Sequence, residues 1–532
     1  MKNLTLYGAL KNSAEKYPSS PALYYMGKSI KYKKLLSEVD KVARYIESRG
    51  IKSGDAVTIC MPNIPQCVVF FYAVNKIGAV AHMVHPLAPT QRLLEYMQRV
   101  KSKLLVLPTV TLKDHTSLVG KVDIILCSPA HYLGAVKDFL YSVKEKTLNL
   151  CDSKKGVYSY ADAVKSKGSS SLSTDSEMDA VYLHSGGTGG APKTIRLSSR
   201  AINALCEKGE SMLCDNPKGK YMLAVLPMFH GFGLAMGVHA LLSLGGCDTL
   251  MPKFRTDETI SLIKRGKINY IIGVPTLYEA LLNKQKFSGK ELQNLRRAFV
   301  GGDFVPSRLV TEFNNRMQNF GSDCRLYEGY GLTETVTVCA VNTTRANKTG
   351  SIGKAVEGIE IAVFDGASKL PPNCEGEICV SGDTLMSGYL SGGEVFFESE
   401  GKTFVRSGDI GLIDEEGFIF FRSRIKRIAK VSGVTVFPSE IENLCMNEMS
   451  EIAEACALST PSKRSGEEIV MFVALKEKPS EETREAVSKK ITDLVESRLS
   501  KFASPTKVFF LPALPKTLVG KVDSNKLKEI YL

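Results

Sequence analysis

The stretch from Ser185 to Lys193 constrains the fold more than any other part of the sequence, because it is a run of small residues between two strand-like runs. It reads Ser-Gly-Gly-Thr-Gly-Gly-Ala-Pro-Lys and lies between Ala180–Leu183 and Thr194–Leu197. Glycine, hydroxyl and lysine at this density suit a loop whose backbone N–H groups approach phosphate. The loop of P-loop nucleotidases instead ends in Gly-Lys-Ser/Thr and opens a helix, whereas Pro192 precedes the lysine here. The sequence predicts a nucleotide-binding loop between two strands, with a functionally neutral connection as the alternative.

Strand-like apolar runs alternate with amphipathic helical stretches along most of the chain. Ala56–Met61 precedes a helix-like stretch over Gln66–Val80, and further strand-like runs are Tyr221–Leu226, Tyr270–Val274 and Arg297–Val300. Such alternation predicts an α/β fold with helices on the faces of sheets. A chain of 532 residues suggests roughly three to four folding units. We therefore predict a large N-terminal domain of several subdomains, with layered sheets and helices, over residues 1–424.

The character of the sequence changes near residue 424, where the cationic run Arg422–Arg427 follows an apolar strand. Beyond it, Ser439 with Glu442 predicts a capping box that opens a helix, and Ser480–Leu499 predicts a long amphipathic helix. Two further strands are predicted, over Ile469–Leu475 and Lys507–Leu511. We predict a small α+β domain over residues 425–532.

Composition excludes several classes of function. The net charge is +13, but the lysines are spread along the chain, which argues against nucleic-acid binding. The N-terminus lacks a signal-peptide pattern and the most apolar region is interrupted by polar residues, so we expect a cytoplasmic protein without a membrane span. The 13 cysteines contain no Cys-x-x-Cys pair, so neither a zinc site nor a disulfide framework is predicted.

Further motifs follow the glycine-rich loop in a fixed order. They are Leu226–Phe232, Tyr327–Thr335, Gly376–Gly382, Ser407–Asp409, Arg424 and Pro515–Lys521. In this order and at these distances they resemble the adenylate-forming superfamily of acyl-CoA synthetases, luciferases and nonribosomal-peptide adenylation domains. The resemblance covers nearly the whole chain.

The resemblance implies a two-step reaction. A carboxylate attacks the α-phosphate of Mg-ATP to give an acyl-adenylate and pyrophosphate, and a thiol then displaces AMP. Attack on an α-phosphate concentrates negative charge, so fixed donors and cations are the groups that such a site needs. ATP, Mg²⁺ and coenzyme A are the expected cofactors and substrates.

The resemblance also implies roles for individual residues. Lys521, Thr333, Glu334 and His230 would be catalytic, with Lys521 touching both the attacking carboxylate and the α-phosphate, and Glu334 would hold Mg²⁺. The residues expected to bind nucleotide phosphates, adenine or ribose, or to form the loop brought in for thioester formation, are Ser185, Gly186, Gly187, Thr188, Gly189, Gly190, Lys193, Gly301, Gly302, Asp303, Tyr330, Gly331, Asp409, Arg424, Lys430 and Gly433. The small domain would rotate between the two steps about a hinge near Lys426.

Three residues depart from the family pattern. Gly189 replaces a second hydroxyl residue, Arg427 stands where an acid is common, and Ser524 replaces an arginine. None of them removes a group on which the chemistry must depend. A nucleotide-binding relative without turnover stays as an alternative.

The acid is expected to be apolar or aromatic. Amino-acid-activating members carry an aspartate after the phenylalanine of the Leu226–Phe232 motif, whereas Phe229 is followed by His230. This disfavours amino-acid adenylation, which stays as an alternative. The run from Thr335 to Gly353 is too short for the insertion of ligases that load carrier proteins, so coenzyme A is the preferred acceptor and a carrier-protein phosphopantetheine the second. We expect a monomer or a homodimer.

Overall fold

The computed structural model describes residues 1–133, 150–185, 193–462, 465–517 and 522–532. Strands and helices alternate over most of these ranges, as the periodicity predicts. Each helix within them is too short or too polar to cross a bilayer.

The α-helices of the described residues are short to medium in length. They are α1 (Leu6–Lys16), α2 (Tyr32–Ser48), α3 (Pro65–Lys76), α4 (Thr90–Arg99), α5 (Tyr160–Ala163), α6 (Ser199–Cys206), α7 (Gly209–Leu213), α8 (Ala240–Ser243), α9 (Thr256–Lys264), α10 (Pro275–Leu282), α11 (Ser307–Asn319), α12 (Pro438–Glu448), α13 (Glu481–Arg498) and α14 (Ser524–Tyr531). A π-helix covers Phe232–His239, and 3-10 turns cover Thr109–Leu118, Pro129–Tyr132, Ser153–Lys155, Lys290–Asn294, Thr333–Thr335 and Ile425–Arg427.

The strands of the first half of the chain are mostly four to six residues long. They are β1 (Pro21–Tyr25), β2 (Lys28–Lys31), β3 (Ala56–Ile59), β4 (Val80–Met83), β5 (Leu104–Pro108), β6 (Asp123–Cys127), β7 (Val157–Ser159), β8 (Asp179–His184), β9 (Thr194–Ser198), β10 (Tyr221–Ala224), β11 (Cys247–Leu250), β12 (Tyr270–Gly273), β13 (Arg297–Val300) and β14 (Leu326–Gly331).

The later strands vary more in length. They are β15 (Val338–Val341), β16 (Lys354–Ala355), β17 (Ile359–Asp365), β18 (Ser368–Lys369), β19 (Gly376–Gly382), β20 (Gly388–Tyr389), β21 (Phe396–Ser399), β22 (Lys402–Ile413), β23 (Ile419–Arg424), β24 (Ala429–Val431), β25 (Val434–Val436), β26 (Ile452–Ser462), β27 (Gly466–Leu475) and β28 (Lys507–Phe510).

These strands form four sheets. Sheet A has the order β16-β15-β14-β13-β12-β10-β11-β1-β2, and sheet B has the order β20-β9-β8-β4-β3-β5-β6-β7. Both have parallel centres; sheet A is antiparallel at both edges, whereas sheet B is antiparallel only at the β20–β9–β8 edge. Sheet C is antiparallel, with the order β18-β17-β19-β22-β21 and β23 beside β22. Sheet D has the order β25-β24-β27-β26, with β28 beside β27. The predicted α/β fold class is confirmed.

The largest core lies between sheets A and B. Every residue of α3 from Pro65 to Asn75 is buried, as expected for a helix enclosed on all sides. The predicted end of this helix at Val80 is wrong, because α3 stops at Lys76 and Val80 already belongs to β4. The apolar sequence continues from the helix into the strand, so it does not mark the boundary between them.

Sheet D is built entirely from residues after the predicted boundary at 424, since β23 ends at Arg424 and β24 begins at Ala429. The boundary itself stays a prediction. Ser480 caps α13 by accepting a hydrogen bond from the Thr483 N–H (3.2 Å), as its sequence indicates.

The predicted capping box at Ser439 and Glu442 is wrong. Helix α12 begins at Pro438, and its N-cap residue makes no side-chain cap bond. The Ser439 hydroxyl donates instead to the Arg422 carbonyl (2.8 Å). Glu442 forms an ion pair with Arg427, so longer-range partners take both side chains.

Candidate active site

The two ends of the glycine-rich loop are held together at the edge of sheet B. The Ser185 N–H donates to the Lys193 carbonyl (2.9 Å), and the Lys193 N–H donates to Ser185 Oγ (3.0 Å). Residues 186–192, which include the predicted Gly186, Gly187, Thr188, Gly189 and Gly190, lie outside the described residues. The strand–loop–strand setting is confirmed by β8 before the loop and β9 after it.

The side chains of Lys193 and Glu334 both contact a tyrosine, Tyr389, that sequence reasoning missed. The Lys193 ammonium lies 4.2 Å from the ring centroid of Tyr389, and the Tyr389 hydroxyl donates to Glu334 Oε1 (2.9 Å). Burial, together with the Glu334 charge, raises the pKa of the Tyr389 phenol, so it stays protonated and donates. Strand β20 carries Tyr389 beside β9, and no motif in the sequence marks it.

This arrangement fits Mg²⁺ held mainly by a substrate. Glu334 presents one carboxylate, and no group of three or more His, Cys, Asp or Glu side chains in the described ranges is arranged to hold a metal. Mg²⁺ keeps several waters and takes one or two carboxylates together with substrate phosphates. The donor set therefore fits a nucleotide-bound ion.

Thr333 and Glu334 lie in a 3-10 turn that leads directly into a strained residue. Val336 is fully buried at φ +67° and ψ −61°, and the Thr337 N–H donates to the Thr335 carbonyl (2.8 Å). This closes a γ-turn of the rare positive-φ kind. The Val336 carbonyl oxygen packs against Gly231, where an added Cβ would lie only 2.1 Å from it. The turn thus joins the Thr-Glu motif to the segment that carries His230.

Tyr330, Asp409 and Arg424 form a second polar group. The Tyr330 hydroxyl donates to Asp409 Oδ2 (2.6 Å), and the Arg424 Nε lies 3.1 Å from Asp409 Oδ1. Asp409 is buried and lies opposite Arg424 on the paired strands β22 and β23. Burial, followed by the Asp409 charge, raises the pKa of the Tyr330 phenol well above its ordinary value, so this hydroxyl also stays a donor. The sequence predicted all three residues.

One cavity, of about 80 Å³, gathers five predicted residues: His230, Gly301, Gly302, Tyr330 and Gly331. Gly301, Gly302, Gly329 and Gly331 form a glycine wall at the ends of β13 and β14. Met212, Met222 and Met236 form a methionine wall on α7, β10 and the π-helix. The apolar lining is completed by Leu213, Phe232, Ala240, Leu241, Leu244, Ile272, Phe299, Val300, Val338 and Val341.

Glu328 is a second residue that sequence reasoning missed. It precedes Gly329 in β14 and pairs with Val300, which lines the cavity. Burial raises the pKa of the Glu328 carboxyl to about 8. Its position two residues before Tyr330 is the only signal in the sequence.

Asp303, Lys430 and Gly433 lie outside this cavity lining. Asp303 Oδ1 accepts from the Phe304 N–H (2.9 Å). Lys430 and Gly433 lie on the β24–β25 hairpin, where the Lys430 N–H donates to Glu467 Oε2 (2.6 Å). Among the described residues, no hydrogen bond or ion pair joins that hairpin to the cavity lining. Lys521 falls in residues 518–521, outside the described ranges.

The Glu334 carboxylate beside Lys193, the buried Asp409 paired with Arg424 and the apolar cavity are groups that suit a nucleotide-dependent acid-activating enzyme. The sequence model of the AMP-binding enzyme family matches residues 10–390, and that of the AMP-binding enzyme C-terminal domain matches residues 440–521. The chain belongs to the AMP-binding enzyme family.

Characterised relatives extend over the whole chain. The long-chain-fatty-acid–CoA ligase of Bacillus subtilis (strain 168) is 29% identical over 99% of this chain and 95% of the relative. The 4-coumarate–CoA ligase 2 of Nicotiana tabacum is 26% identical over 92% of this chain and 87% of the relative.

A solved structure shares the fold. ATP-bound MatB from Rhodopseudomonas palustris superposes with a TM-score of 0.84 and 23% identity, over 99% of this chain and 98% of MatB. The predicted superfamily and enzyme class, an AMP-forming acid–thiol ligase, are confirmed.

Proposed function

We propose that this protein activates an apolar carboxylic acid, a fatty or aryl acid, with ATP and transfers the acyl group to coenzyme A. The observation that carries the proposal is the single cavity that brings His230 and the methionine wall together with Tyr330 and the glycine wall. It supports an acid and a nucleotide bound side by side.

The cavity lining supports an uncharged acyl group. Among the described residues that line it, none is Asp, Glu, Lys or Arg, so no carboxylate is available to pair with an α-ammonium group. The long-chain-fatty-acid and 4-coumarate ligases are relatives whose names denote acids of this kind. The methionine wall forms one side of this cavity, so an acid of different length changes the space that these side chains must fill. Methionine is the side chain that adapts most readily to such a change.

The first step joins the acid to AMP. A carboxylate oxygen of the acid attacks the α-phosphorus of ATP, the bond between the α-phosphorus and its bridging oxygen breaks, and pyrophosphate leaves. We assign Ser185, Lys193 and Thr188 to the departing phosphates, and Thr333 and Lys521 to the α-phosphate. Tyr330 and the glycine wall would hold adenine, and Asp409 with Arg424 the ribose.

Magnesium, when bound by Glu334 and the phosphates, would neutralise charge on the phosphoryl oxygens. Tyr389 holds the Glu334 carboxylate through its hydroxyl, and Lys193 adds a fixed positive charge beside the same ring. Charged groups held by such contacts are what electrostatic stabilisation of a transition state requires.

The second step forms the thioester. The sulfur of coenzyme A attacks the carbonyl carbon of the acyl-adenylate, the carbon–oxygen bond to AMP breaks, and the thiol proton is released. We assign Lys430 and Gly433 to the loop that approaches during this step, with the hinge near Lys426.

The cytoplasm is the proposed location, because all thirteen cysteines lie in the described residues and none of them is in a disulfide.

The test is release of pyrophosphate from Mg-ATP across a panel of fatty, aryl and amino acids, with and without coenzyme A. We expect release only with apolar acids, faster with coenzyme A, and accompanied by AMP and thioester. Lys521→Ala should slow release by roughly 100- to 1000-fold, since a unit charge near the α-phosphate stabilises by up to ~4 kcal/mol.

Lys516→Ala is the matched control, because Lys516 belongs to the same terminal segment but pairs with Glu454 (2.5 Å). Equal losses in both lysine variants would contradict the assigned role of Lys521. Release that ignores coenzyme A would point to a carrier-protein acceptor, and release with amino acids alone would refute the proposed substrate class.

A further inference from the structure

A line of buried and half-buried polar side chains runs through sheet B and ends beside Ser185 and Lys193. His184 Nε2 lies 2.8 Å from His82 Nε2, and His82 Nδ1 lies 2.9 Å from Thr58 Oγ1. Thr58 Oγ1 donates to Ser102 Oγ (2.8 Å), and Ser102 Oγ lies 3.1 Å from the Leu104 carbonyl oxygen. At the other end, Thr194 Oγ1 lies 3.4 Å from His184 Nδ1. The line links five neighbouring strands, β9, β8, β4, β3 and β5.

One direction of donation satisfies every member of the line. Thr194 donates to His184, His184 Nε2 donates to His82, and His82 Nδ1 donates to Thr58. Thr58 donates to Ser102, which donates to a main-chain carbonyl. Each imidazole then carries one proton, and each ring nitrogen is used once. A fully connected buried network of this kind fixes the positions of its members.

Both imidazoles are held neutral and in place. Burial lowers the pKa of His82 well below its ordinary value, and burial followed by the Arg99 and Arg92 charges lowers the pKa of His184 to about 4. The Tyr96 ring stacks on His184 with the ring centroids 3.8 Å apart and the planes at 15°. The stack fixes the plane of the His184 ring on the side of α4.

The network lies directly behind the two ends of the loop. His184 is the last residue of β8, Thr194 is the first of β9, and the two are paired across the strands. Ser185 follows His184, Lys193 precedes Thr194, and these two residues are hydrogen-bonded to each other. His184 and Thr194 thus anchor the two strand ends from which Ser185 and Lys193 extend.

We propose that His184 and His82 are positioning residues that set the separation and orientation of Ser185 and Lys193 for binding the phosphates of ATP. The inference rests on the proposed function, because it takes Ser185 and Lys193 as phosphate-binding residues. Both histidines act through the ends of the loop, and neither touches substrate. A merely structural role would lower stability without changing how tightly ATP binds.

The test compares three variants by two measurements that are independent of protein stability. His184→Phe keeps a ring to stack on Tyr96 but removes both hydrogen bonds, whereas His184→Gln keeps a donor toward His82. His115→Phe is the matched control, because His115 is also buried and bonded to Thr90 Oγ1 (2.9 Å) at the other end of α4. The measurements are the Kd of a non-hydrolysable ATP analogue by calorimetry and the split between KM for ATP and kcat.

We expect His184→Phe to raise both Kd and KM for ATP about tenfold, with kcat changed less than twofold. This loss corresponds to about 1.4 kcal/mol, within the range of a buried hydrogen-bond network. His184→Gln should recover most of the loss. His115→Phe should lower the melting temperature while leaving Kd within twofold of the unaltered protein.

A Kd and KM in His184→Phe that stay within twofold of the His115→Phe values would overturn the proposal. If the unaltered protein binds the analogue but releases no pyrophosphate with any acid, the proposed function fails while the Kd comparison still decides the role of His184. If the unaltered protein does not bind the analogue, both proposals fail.

Discussion

The glycine wall and the methionine wall enclose the same cavity but tolerate change very differently. An added Cβ at Gly301 would lie 2.5 Å from the Gly329 carbonyl oxygen, and one at Gly331 would lie 1.4 Å from the Thr337 carbonyl oxygen. The methionine wall consists of flexible side chains that can change rotamer. The side proposed for the nucleotide, a constant substrate, is built from backbone in close contact. The side proposed for the acid is built from adjustable side chains.

The strongest test of this contrast is Gly331→Ala. A methyl group cannot enter between two strands at 1.4 Å, so β14 must move and carry Tyr330 and Thr333 with it. Displacements of about 1 Å cost on the order of 100-fold in rate, and we expect at least that loss in pyrophosphate release.

Gly329→Ala is the control on the same strand, because its added Cβ would lie at an ordinary 3.4 Å from the Ala340 carbonyl oxygen. We expect it to keep most of the activity. Similar losses of activity at Gly329 and Gly331 would show that the close backbone contact at Gly331 is not what limits substitution there.

A second test uses the titratable group beside the glycine wall. Because burial raises the pKa of Glu328 to about 8, this side chain is neutral at pH 7 and becomes charged as the pH rises through 8. A new negative charge beside the proposed nucleotide site should raise KM for ATP between pH 7 and 9 by about tenfold, a repulsion of about 1.4 kcal/mol. The KM for the acid should stay constant. Glu328→Gln should remove the pH dependence.

Glu328→Gln should also change how the free energy of unfolding depends on pH. The unfolded carboxyl loses its proton near its ordinary pKa while the folded one keeps it up to about 8, so native stability falls as the pH rises between these values. Urea unfolding at pH 4, 6 and 9 should show Glu328→Gln gaining on the parent as the pH rises. Glu482→Gln, at an exposed position of α13, serves as the control, and parallel curves for all three proteins would refute the assignment.

The smallest expected effect is a change of substrate preference at the methionine wall. Met236→Ala enlarges the cavity, so we expect kcat/KM to shift toward acids longer by two or three carbons, on the order of fivefold. KM for ATP should stay unchanged. Met251→Ala removes another buried methionine, which packs in a different core, and it should lower stability without altering preference. If Met251→Ala changed substrate preference as much as Met236→Ala, the methionine wall would not be what selects the acid.

Sequence reasoning succeeded where local pattern decides the structure. Arg297–Val300 forms the predicted strand, and Ser480 caps the predicted helix. It failed where distant partners compete, as at Glu442, whose carboxylate pairs with Arg427. Locally, Ser439 and Glu442 have the correct spacing for a cap, but Arg427 is a stronger partner than a backbone N–H.

The candidate site shows the same division. Motifs supplied His230, Tyr330, Glu334 and Asp409, because each lies in a short recognisable run. Tyr389 could not be found in this way, since its contact with Glu334 spans 55 residues and arises only when β20 joins β9. The role of Lys521 stays a prediction.

The strained turn at Val336 connects the residues proposed to bind ATP with those proposed to bind the acid. It follows Glu334 directly, and its carbonyl rests on Gly231, next to His230. A strained backbone persists only where the structure on both sides holds it, so a shift on one side is expected to reach the other. Linkage then requires reciprocity: an acid that tightens the binding of ATP must itself bind more tightly, and by the same factor, when ATP is present.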